Sequence, residues 1–157
     1  MRVSILDRLA SGDVLIADGA TGTMLQAAGL PTGLPGEAWV LEQPEEIKKL
    51  HRAYVEAGSQ LILTATFGGT RARLKASGLD PQVAEISRRA AELAREVAGD
   101  GLYVGGDIGP TGEMMPPLGK LTYEMAVEIF AEQAAALADG GADCIYVETM
   151  SDLIEAI

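Results

Sequence analysis

The sequence predicts an α/β fold in which parallel strands alternate with helices. Four short apolar runs rich in Val, Ile and Leu occur at residues 14–17, 61–63, 102–104 and 144–147. They are nearly continuous rather than alternating in polarity, as expected for parallel strands that are buried on both faces. Segments with helical periodicity lie between them. This alternation indicates parallel strands joined by right-handed crossovers.

The helices are predicted from apolar residues that recur three and four positions apart. Residues 44–57, 81–98 and 122–139 each show this spacing, and a glycine follows each of them. Asp80 precedes the second helix and is expected to cap its N-terminus. Residues 152–157 are typical of the opening turns of a fourth helix.

Both an open doubly wound sheet and a (β/α)8 barrel fit this order of elements. Neither G-x-G-x-x-G nor G-x-x-x-x-G-K-[ST] follows the first predicted strand, which argues against the open-sheet nucleotide-binding folds. Consecutive strands begin roughly 41 to 47 residues apart, so eight units would need about 300 residues or more, a size that barrels with insertions reach. The 157 residues therefore predict one domain, 1–157, that forms the N-terminal half of a TIM barrel, about four βα units, without the C-terminal half.

The composition excludes several classes of function. The chain has 23 Asp and Glu residues against 12 Lys and Arg, a formal net charge of −11. This acid excess argues against partners such as nucleic acids and anionic membranes. The single cysteine, Cys144, rules out a disulfide framework and a cysteine zinc cluster within the chain. Because the sequence contains neither a long apolar run nor a signal-peptide pattern, we expect a cytoplasmic protein.

Polar residues follow each predicted strand at its C-terminal end, where barrel enzymes build their active sites. Carboxylates gathered there repel one another unless they share a cation, a proton or a cationic ligand group. Glycines let backbone N–H groups approach the carboxylate of a ligand. Together they suit an amino acid, although turns and helix caps also explain each residue taken singly. The candidates are Asp18, Gly19, Ala20, Thr64, Thr66, Asp107 and Glu148.

Other polar or aromatic residues receive structural interpretations. His51, on the apolar face of its helix, and Cys144, inside the last strand, are predicted to be core residues rather than a ligand and a nucleophile. Residues 114–117 form either an adaptable apolar lid or an ordinary covering loop. Trp39, in the long first loop, is either a packed lid residue or a wall of the pocket. Two basic residues are expected on a solvated helix surface, Arg71 and Arg73.

Four motifs, in order, carry a resemblance to a known family. They are DGATGTML, HRAYVEAGSQLILTATFGGTRARL, GDIGPTGE and YVETMSDLIEA. The chain resembles the homocysteine S-methyltransferase domain, which is shared by cobalamin-dependent methionine synthase and betaine–homocysteine methyltransferase. The match is colinear over residues 14–157. One such motif would be weak, whereas four at the right intervals are specific.

The resemblance implies a (β/α)8 barrel that binds homocysteine over a zinc ion at the C-terminal mouth and methylates its sulfur to give methionine. By that resemblance, Asp18 and Gly19 line the homocysteine site, and Glu148 holds the amino group of the substrate. Further residues in the family's second- and third-strand motifs face the same pocket, namely Thr64, Thr66 and Asp107.

The resemblance also bears on the cofactors and the methyl donor. The family's zinc is held by three cysteine thiolates from the second half of the barrel, and Cys144 matches none of them, so this chain alone is expected to be inactive. Cobalamin is a possible methyl carrier, but betaine and S-methylmethionine also fit. Ala65 stands where methionine synthases often have Asn. Trp39 falls near a donor-contacting tryptophan of betaine-using members, in a loosely aligned loop.

Two further functions fit the same residues. Asp18, Asp107 and Glu148 would suit an enzyme that binds Mg²⁺ or Mn²⁺ through oxygen ligands. A non-catalytic half-barrel is the other reading, because its open edges at the first and fourth strands would need cover from the missing half or from a second copy.

Overall fold

The structure, a computed structural model, describes residues 3–157 and is built on a parallel three-stranded sheet. The strands are β1 (Leu61–Leu63), β2 (Tyr103–Ile108) and β3 (Cys144–Val147). The helices are α1 (Ile5–Ala10), α2 (Gly22–Ala27), α3 (Ala38–Glu42), α4 (Pro44–Glu56), α5 (Arg71–Leu74), α6 (Val83–Ala98), α7 (Tyr123–Asp139) and α8 (Leu153–Ala156). Short 3₁₀ turns occupy Lys75–Ser77 and Asp80–Gln82.

The strands lie in the order β1-β2-β3, and both neighbouring pairs are parallel. Leu61 is opposite Tyr103, and Gly105 is opposite Cys144. Helices α4, α6 and α7 connect and cover the strands, as crossovers between parallel strands must. The predicted α/β class with parallel strands is therefore confirmed.

The first predicted strand, residues 14–17, is reduced to a single bridge between Ala17 and Leu61. The Ile16 carbonyl accepts hydrogen bonds from the Gln60 and Leu61 N–H groups at 2.7 and 3.2 Å. The prediction that this run is buried on both faces was wrong, because it is the edge of the sheet within residues 3–157, and Val14 is 84% exposed. The same reason leaves β3 exposed along Ile145–Val147.

The third predicted strand, 102–104, is longer than its apolar run because β2 continues through Gly105 and Gly106 to Ile108. A side chain at Gly106 would meet Leu137 of α7 at about 3.0 Å, so the glycine allows this helix to lie close against the strand. Asp80 does not cap α6, as the sequence suggested. It opens a 3₁₀ turn, and the helix begins three residues later, at Val83.

The main hydrophobic cluster lies between helices α2 to α6, and smaller clusters pack α6 and α7 against the sheet. His51 is confirmed as a packed residue, since it is 1% exposed, and neither ring nitrogen has a partner within residues 3–157. Burial lowers its pKa to about 4. Residues 114–117 form a covering loop in which Met115 packs against Leu121 and Ala126. No helix between residues 3 and 157 has the length and apolar character needed to cross a lipid bilayer.

Helices α6 and α7 pack so closely that Gly140, directly after α7, touches the α6 backbone. A Cβ atom at Gly140 would lie 2.7 Å from the Ala91 Cβ and would overlap the Arg88 carbonyl oxygen. We expect Gly140→Ala to lower the free energy of unfolding by about 2 kcal/mol, because the two helices must separate to admit the methyl group.

Urea unfolding followed by the fluorescence of Trp39, the chain's one tryptophan, measures this effect. Gly101→Ala is the matched control, since a Cβ atom there meets nothing within 4 Å. Equal unfolding midpoints for the two variants would contradict the close packing.

Candidate functional site

A cavity of about 610 Å³ opens at the C-terminal ends of the strands. It lies between the strand ends and the loops that follow residue 17 and β1. Most of the side chains predicted at the strand ends line it, and they share its wall with one side chain from the first loop and one from α5. The charged residues of the lining are Asp18, Glu37, Arg73, Asp107 and Glu148.

The parallel register brings the three predicted carboxylates together. The Leu63 N–H donates to Asp18 Oδ2 at 2.9 Å, which ties the first carboxylate to the end of β1. Asp107 is paired with Tyr146 across β2 and β3, and the Glu148 N–H donates to the Ile108 carbonyl at 3.1 Å. Each carboxylate is thus placed by backbone pairing, and all three line the cavity, as the sequence predicted.

The two threonines form a hydrogen-bonded ring with the backbone of Asp107. The Asp107 N–H donates to Thr64 Oγ1 at 2.9 Å, and the Thr66 hydroxyl donates to the Asp107 carbonyl at 2.7 Å. The two hydroxyl oxygens are 2.6 Å apart. Because the Thr66 proton is used at Asp107, the Thr64 hydroxyl donates to Thr66. Thr66 lines the cavity, whereas Thr64 lies beneath it and acts through its neighbours.

Gln133 of α7 completes this network and was not predicted. Its Nε2 donates to the Thr66 carbonyl at 2.9 Å, and it is fully buried. It also lies against Gly69, where a Cβ atom would be 2.7 Å from Nε2. The sequence showed Gln133 only as one residue of an amphipathic helix face, with no signal that it reaches the loop after β1.

Burial raises the pKa of two of the carboxyls. The pKa of Asp107 rises to about 8, first because the group is desolvated and then because Glu148, Asp18 and Glu37 carry like charges. A side-chain hydrogen bond with Glu148 acts in the same direction. The pKa of Asp18 rises to about 6, chiefly through burial, against the hydrogen bond from Leu63. Asp107 Oδ1 and Asp18 Oδ1 are buried without a partner within residues 3–157.

Glu37 is a fourth carboxylate that the sequence analysis missed. It is 6% exposed, and its Oε1 accepts a 2.5 Å hydrogen bond from the Gly68 N–H. Burial raises its pKa, and the positive charge of Arg73 partly opposes that rise. Glu37 joins the first loop to the loop after β1. The surrounding PGEAW sequence carries no strand or helix periodicity, so only the fold reveals its position.

The two arginines of α5 differ in their surroundings. Arg71 lies on the surface and forms an ion pair with Glu132, as expected of a solvated position. Arg73 is also exposed, as predicted, but it lines the cavity as well, and its guanidinium carbon lies 5.5 Å from the centre of the Phe67 ring. The short helix turns these two side chains to different sides, which two-residue spacing on a helix produces.

The remaining predicted residues lie either in the cavity wall or in the core. Gly19 and Ala20 line the cavity, where the Tyr54 hydroxyl donates to the Ala20 carbonyl at 2.9 Å. Ala65 also lines it. Trp39 does not. It is 8% exposed and packs in the core with residues such as Val40, so the structure does not place it at the donor side of the cavity.

Comparison with known proteins identifies the family of this chain. The family model described as homocysteine S-methyltransferase matches residues 15–157. The chain belongs to this family. Methionine synthase of Mycobacterium leprae is 36% identical over 154 residues, which cover 90% of this chain and 13% of that protein. Methionine synthase of Mycobacterium tuberculosis is 36% identical over 163 residues, which cover 96% of this chain and 14% of that protein.

Solved structures give the same family. The homocysteine methyltransferase MmuM of Escherichia coli, in its oxidised form, superposes with a TM-score of 0.81 at 29% identity. The match covers 96% of this chain and 58% of that one. The metallated form of MmuM gives a TM-score of 0.79 at 29% identity, covering 96% of this chain and 59% of that one. The chain thus spans about one-seventh of the curated relatives and just under three-fifths of MmuM.

The described residues do not fit the zinc ion that membership of this family implies. Cys144 is half-buried beside Leu61 and Tyr103, and burial raises the pKa of its thiol. Within residues 3–157, no three His, Cys, Asp or Glu side chains are arranged to hold a metal ion. This also removes the support for a Mg²⁺ or Mn²⁺ site made by Asp18, Asp107 and Glu148.

The raised pKa of Asp107 makes the stability of this chain depend on pH. Its folded-state pKa of about 8 lies above the ordinary value of 3.8, so the folded state binds the proton more tightly. The free energy of unfolding therefore falls as pH rises toward 8, by roughly 2 kcal/mol between pH 6.5 and 8. We expect Asp107→Asn to flatten this dependence.

Thermal unfolding at several pH values between 6.5 and 9 measures the slope. His51 has a pKa of about 4 when folded and about 6.5 when unfolded, so it adds a small rise in stability just above pH 6.5 that is the same in wild type and variants. Asp100→Asn, in an exposed turn, is the control and should keep the wild-type slope. A slope for Asp107→Asn equal to that of wild type would show that Asp107 is ionised in the folded protein across this range.

Proposed function

We propose that this chain is the homocysteine-binding part of a methyltransferase that methylates the sulfur of homocysteine to form methionine. One observation carries the proposal. Three carboxylates line one cavity, Asp18 after the bridge at Ala17 and Asp107 and Glu148 at the ends of β2 and β3, and within residues 3–157 the 4%-exposed Asp107 keeps an unpartnered oxygen. Family membership supports homocysteine as the ligand.

The carboxylates bind the ammonium group of the amino acid. Glu148 and Asp18 are half-buried, whereas Asp107 is buried. Glu148 forms the direct charge pair, and the other two carboxyls lie in the same cavity wall. Burial, and then the negative charges of Glu148, Asp18 and Glu37, raise the pKa of Asp107 to about 8 and so favour its protonated form at neutral pH. An ammonium group supplies the cation that this cluster lacks.

Gly19 and Ala20 leave room at the same wall for the rest of the amino acid. Neither has a side chain beyond Cβ, so a ligand can approach their backbone N–H groups closely. Thr66 and Gln133 hold Asp107 through its backbone rather than touching the ligand directly. By binding and orienting its substrate, the protein lowers the entropic cost of bringing two reactants together.

In the transfer step, the homocysteine sulfur, having lost its proton, forms a bond to the methyl carbon. The bond between that carbon and the donor atom breaks, and the donor leaves with its electron pair. Zinc, where bound, would stabilise the thiolate, and its cysteine ligands would come from outside the described residues. We propose no particular donor, since methylcobalamin, betaine and S-methylmethionine all remain compatible.

With this function goes a fold, and we propose that residues 1–157 form the N-terminal half of a (β/α)8 barrel. Support comes from the open edge at β3, where Ile145, Tyr146 and Val147 are 38% to 51% exposed, and from the coverage of 58% of MmuM. On this proposal, cover for the edge comes from the rest of the barrel rather than from a second copy. An activity test therefore requires the whole protein that carries this chain.

Glu148→Gln tests the proposal in that whole protein. The substitution keeps the shape but removes the negative charge, and we expect the KM for homocysteine to rise at least tenfold because a charge pair with the ammonium is lost. Steady-state kinetics and calorimetric titration with homocysteine measure the effect.

Glu124→Gln serves as the control, because Glu124 is exposed in the first turn of α7, away from the cavity. Its KM should match that of wild type. An unchanged KM in Glu148→Gln would remove Glu148 from the site, and absence of any homocysteine binding by wild type would reject the function.

A further inference from the structure

Arg73 is the only basic residue in the lining of the cavity among residues 3–157. The other four charged side chains there are acids. Arg73 follows the loop after β1, whereas Asp18, Asp107 and Glu148 belong to the strand ends. A ligand with a single positive group would satisfy the acids and leave Arg73 without a function, but a ligand that also carries an anionic group would use both.

The surroundings of Arg73 hold its guanidinium in place without neutralising it. The Phe67 ring lies 5.5 Å from its central carbon, a cation–π distance. Side chains at Gly68 and Gly112 would come within 3.4 Å of its nitrogens, so glycine at both positions leaves space for the group. Within residues 3–157 the guanidinium forms no ion pair and donates no hydrogen bond, although each of its five N–H groups is a donor.

Glu37 is near Arg73 but does not use up its charge. Its Oε1 is committed to the Gly68 N–H, and burial keeps its pKa raised despite the arginine. The pair is therefore no closed salt bridge. Arg73 stays exposed at the cavity with an open face for an anion.

We propose that Arg73 binds the carboxylate of a ligand in this cavity and so determines which end of that ligand faces the acids. The planar guanidinium fork matches a carboxylate with two parallel hydrogen bonds, which neutral backbone N–H groups cannot do with equal strength. This inference rests on the proposed function, because it deepens the recognition of an amino acid by the same site. The carboxylate comes either from homocysteine or from a methyl donor that carries one.

Labelling of the whole protein with phenylglyoxal, which reacts with accessible guanidinium groups, tests the inference. Peptide mass spectrometry gives the labelling rates of Arg73 and Arg71 in one sample. Arg71, on the same helix and paired with Glu132, is the internal control. Three probes separate the groups of the ligand: homocysteine, 3-aminopropanethiol without the carboxylate, and 4-mercaptobutyrate without the ammonium.

We expect homocysteine to slow the labelling of Arg73 at least fivefold and to leave Arg71 unchanged. 3-Aminopropanethiol should not protect Arg73. Protection by S-methylmethionine but not by homocysteine would support the inference with the donor as the source of the carboxylate. Equal protection by homocysteine and 3-aminopropanethiol would overturn it, since the effect would then be independent of the carboxylate.

Two variants add an independent measurement. Arg73→Gln should weaken calorimetric binding of homocysteine at least tenfold and leave 3-aminopropanethiol unaffected, whereas Arg71→Gln should change neither. If wild type binds no homocysteine, the proposed function fails by itself. The inference on Arg73 is then decided by protection with 4-mercaptobutyrate and S-methylmethionine, and it is overturned if neither slows the labelling.

Discussion

The ring of hydrogen bonds between Thr64, Thr66 and the backbone of Asp107 is the interaction on which the site depends. It connects the end of β1 to the end of β2 beyond the last ladder bond, so the two strand ends cannot shift relative to each other. The side chain of Asp107 is thereby directed into the cavity, while its N–H and carbonyl groups are satisfied from below. A buried carboxyl with free lone pairs is tolerated only where the surrounding backbone holds it firmly.

Holding several carboxyls in one cavity opposes folding, and the helices on the sheet offset that effect. Eight residues of α6 are buried, most of them small or aliphatic, and α7 approaches them closely at Gly140. Burial of this apolar surface is non-directional and insensitive to pH, whereas the repulsion among Asp18, Asp107 and Glu148 grows as they lose their protons. The stable part of the fold thus lies beneath the sheet, and the strained part lies at the strand ends where ligands bind.

The sequence was sufficient for the parallel α/β class and for the meeting of Asp18, Asp107 and Glu148 at one cavity. Both follow from short-range patterns, since buried parallel strands are continuous apolar runs and their ends share one edge. Glu37, Arg73 and Gln133 were missed for a different reason. Each reaches the cavity from a loop or a helix whose position depends on tertiary packing, and no periodicity in the sequence encodes that position.

The exposure of residues 14–17 and the position of Trp39 could not be predicted for the same reason. Residues 14–17 have the composition of a buried strand, but burial requires neighbours on both sides, and only β1 lies beside them within residues 3–157. Trp39 is an apolar residue in a long loop, which composition alone allows either at a pocket wall or in the core. Packing with Val40 and Ile47 decides for the core. An apolar residue in an irregular segment is placed by the shape of the core, which the sequence pattern does not contain.

The charges in the cavity affect both the stability of the fold and the binding of ligands. Burial and the negative charges of Glu148, Asp18 and Glu37 raise the pKa of Asp107 and so favour a proton on it. A ligand ammonium group replaces that proton. The repulsion among the carboxylates destabilises the fold without ligand at higher pH, and the same negative charge strengthens binding of the cation. Arg73 adds a positive charge to the cavity wall, where it is the only basic side chain among residues 3–157. The arrangement selects for a ligand with both charges, since a simple cation or a simple anion would satisfy only one end of the site.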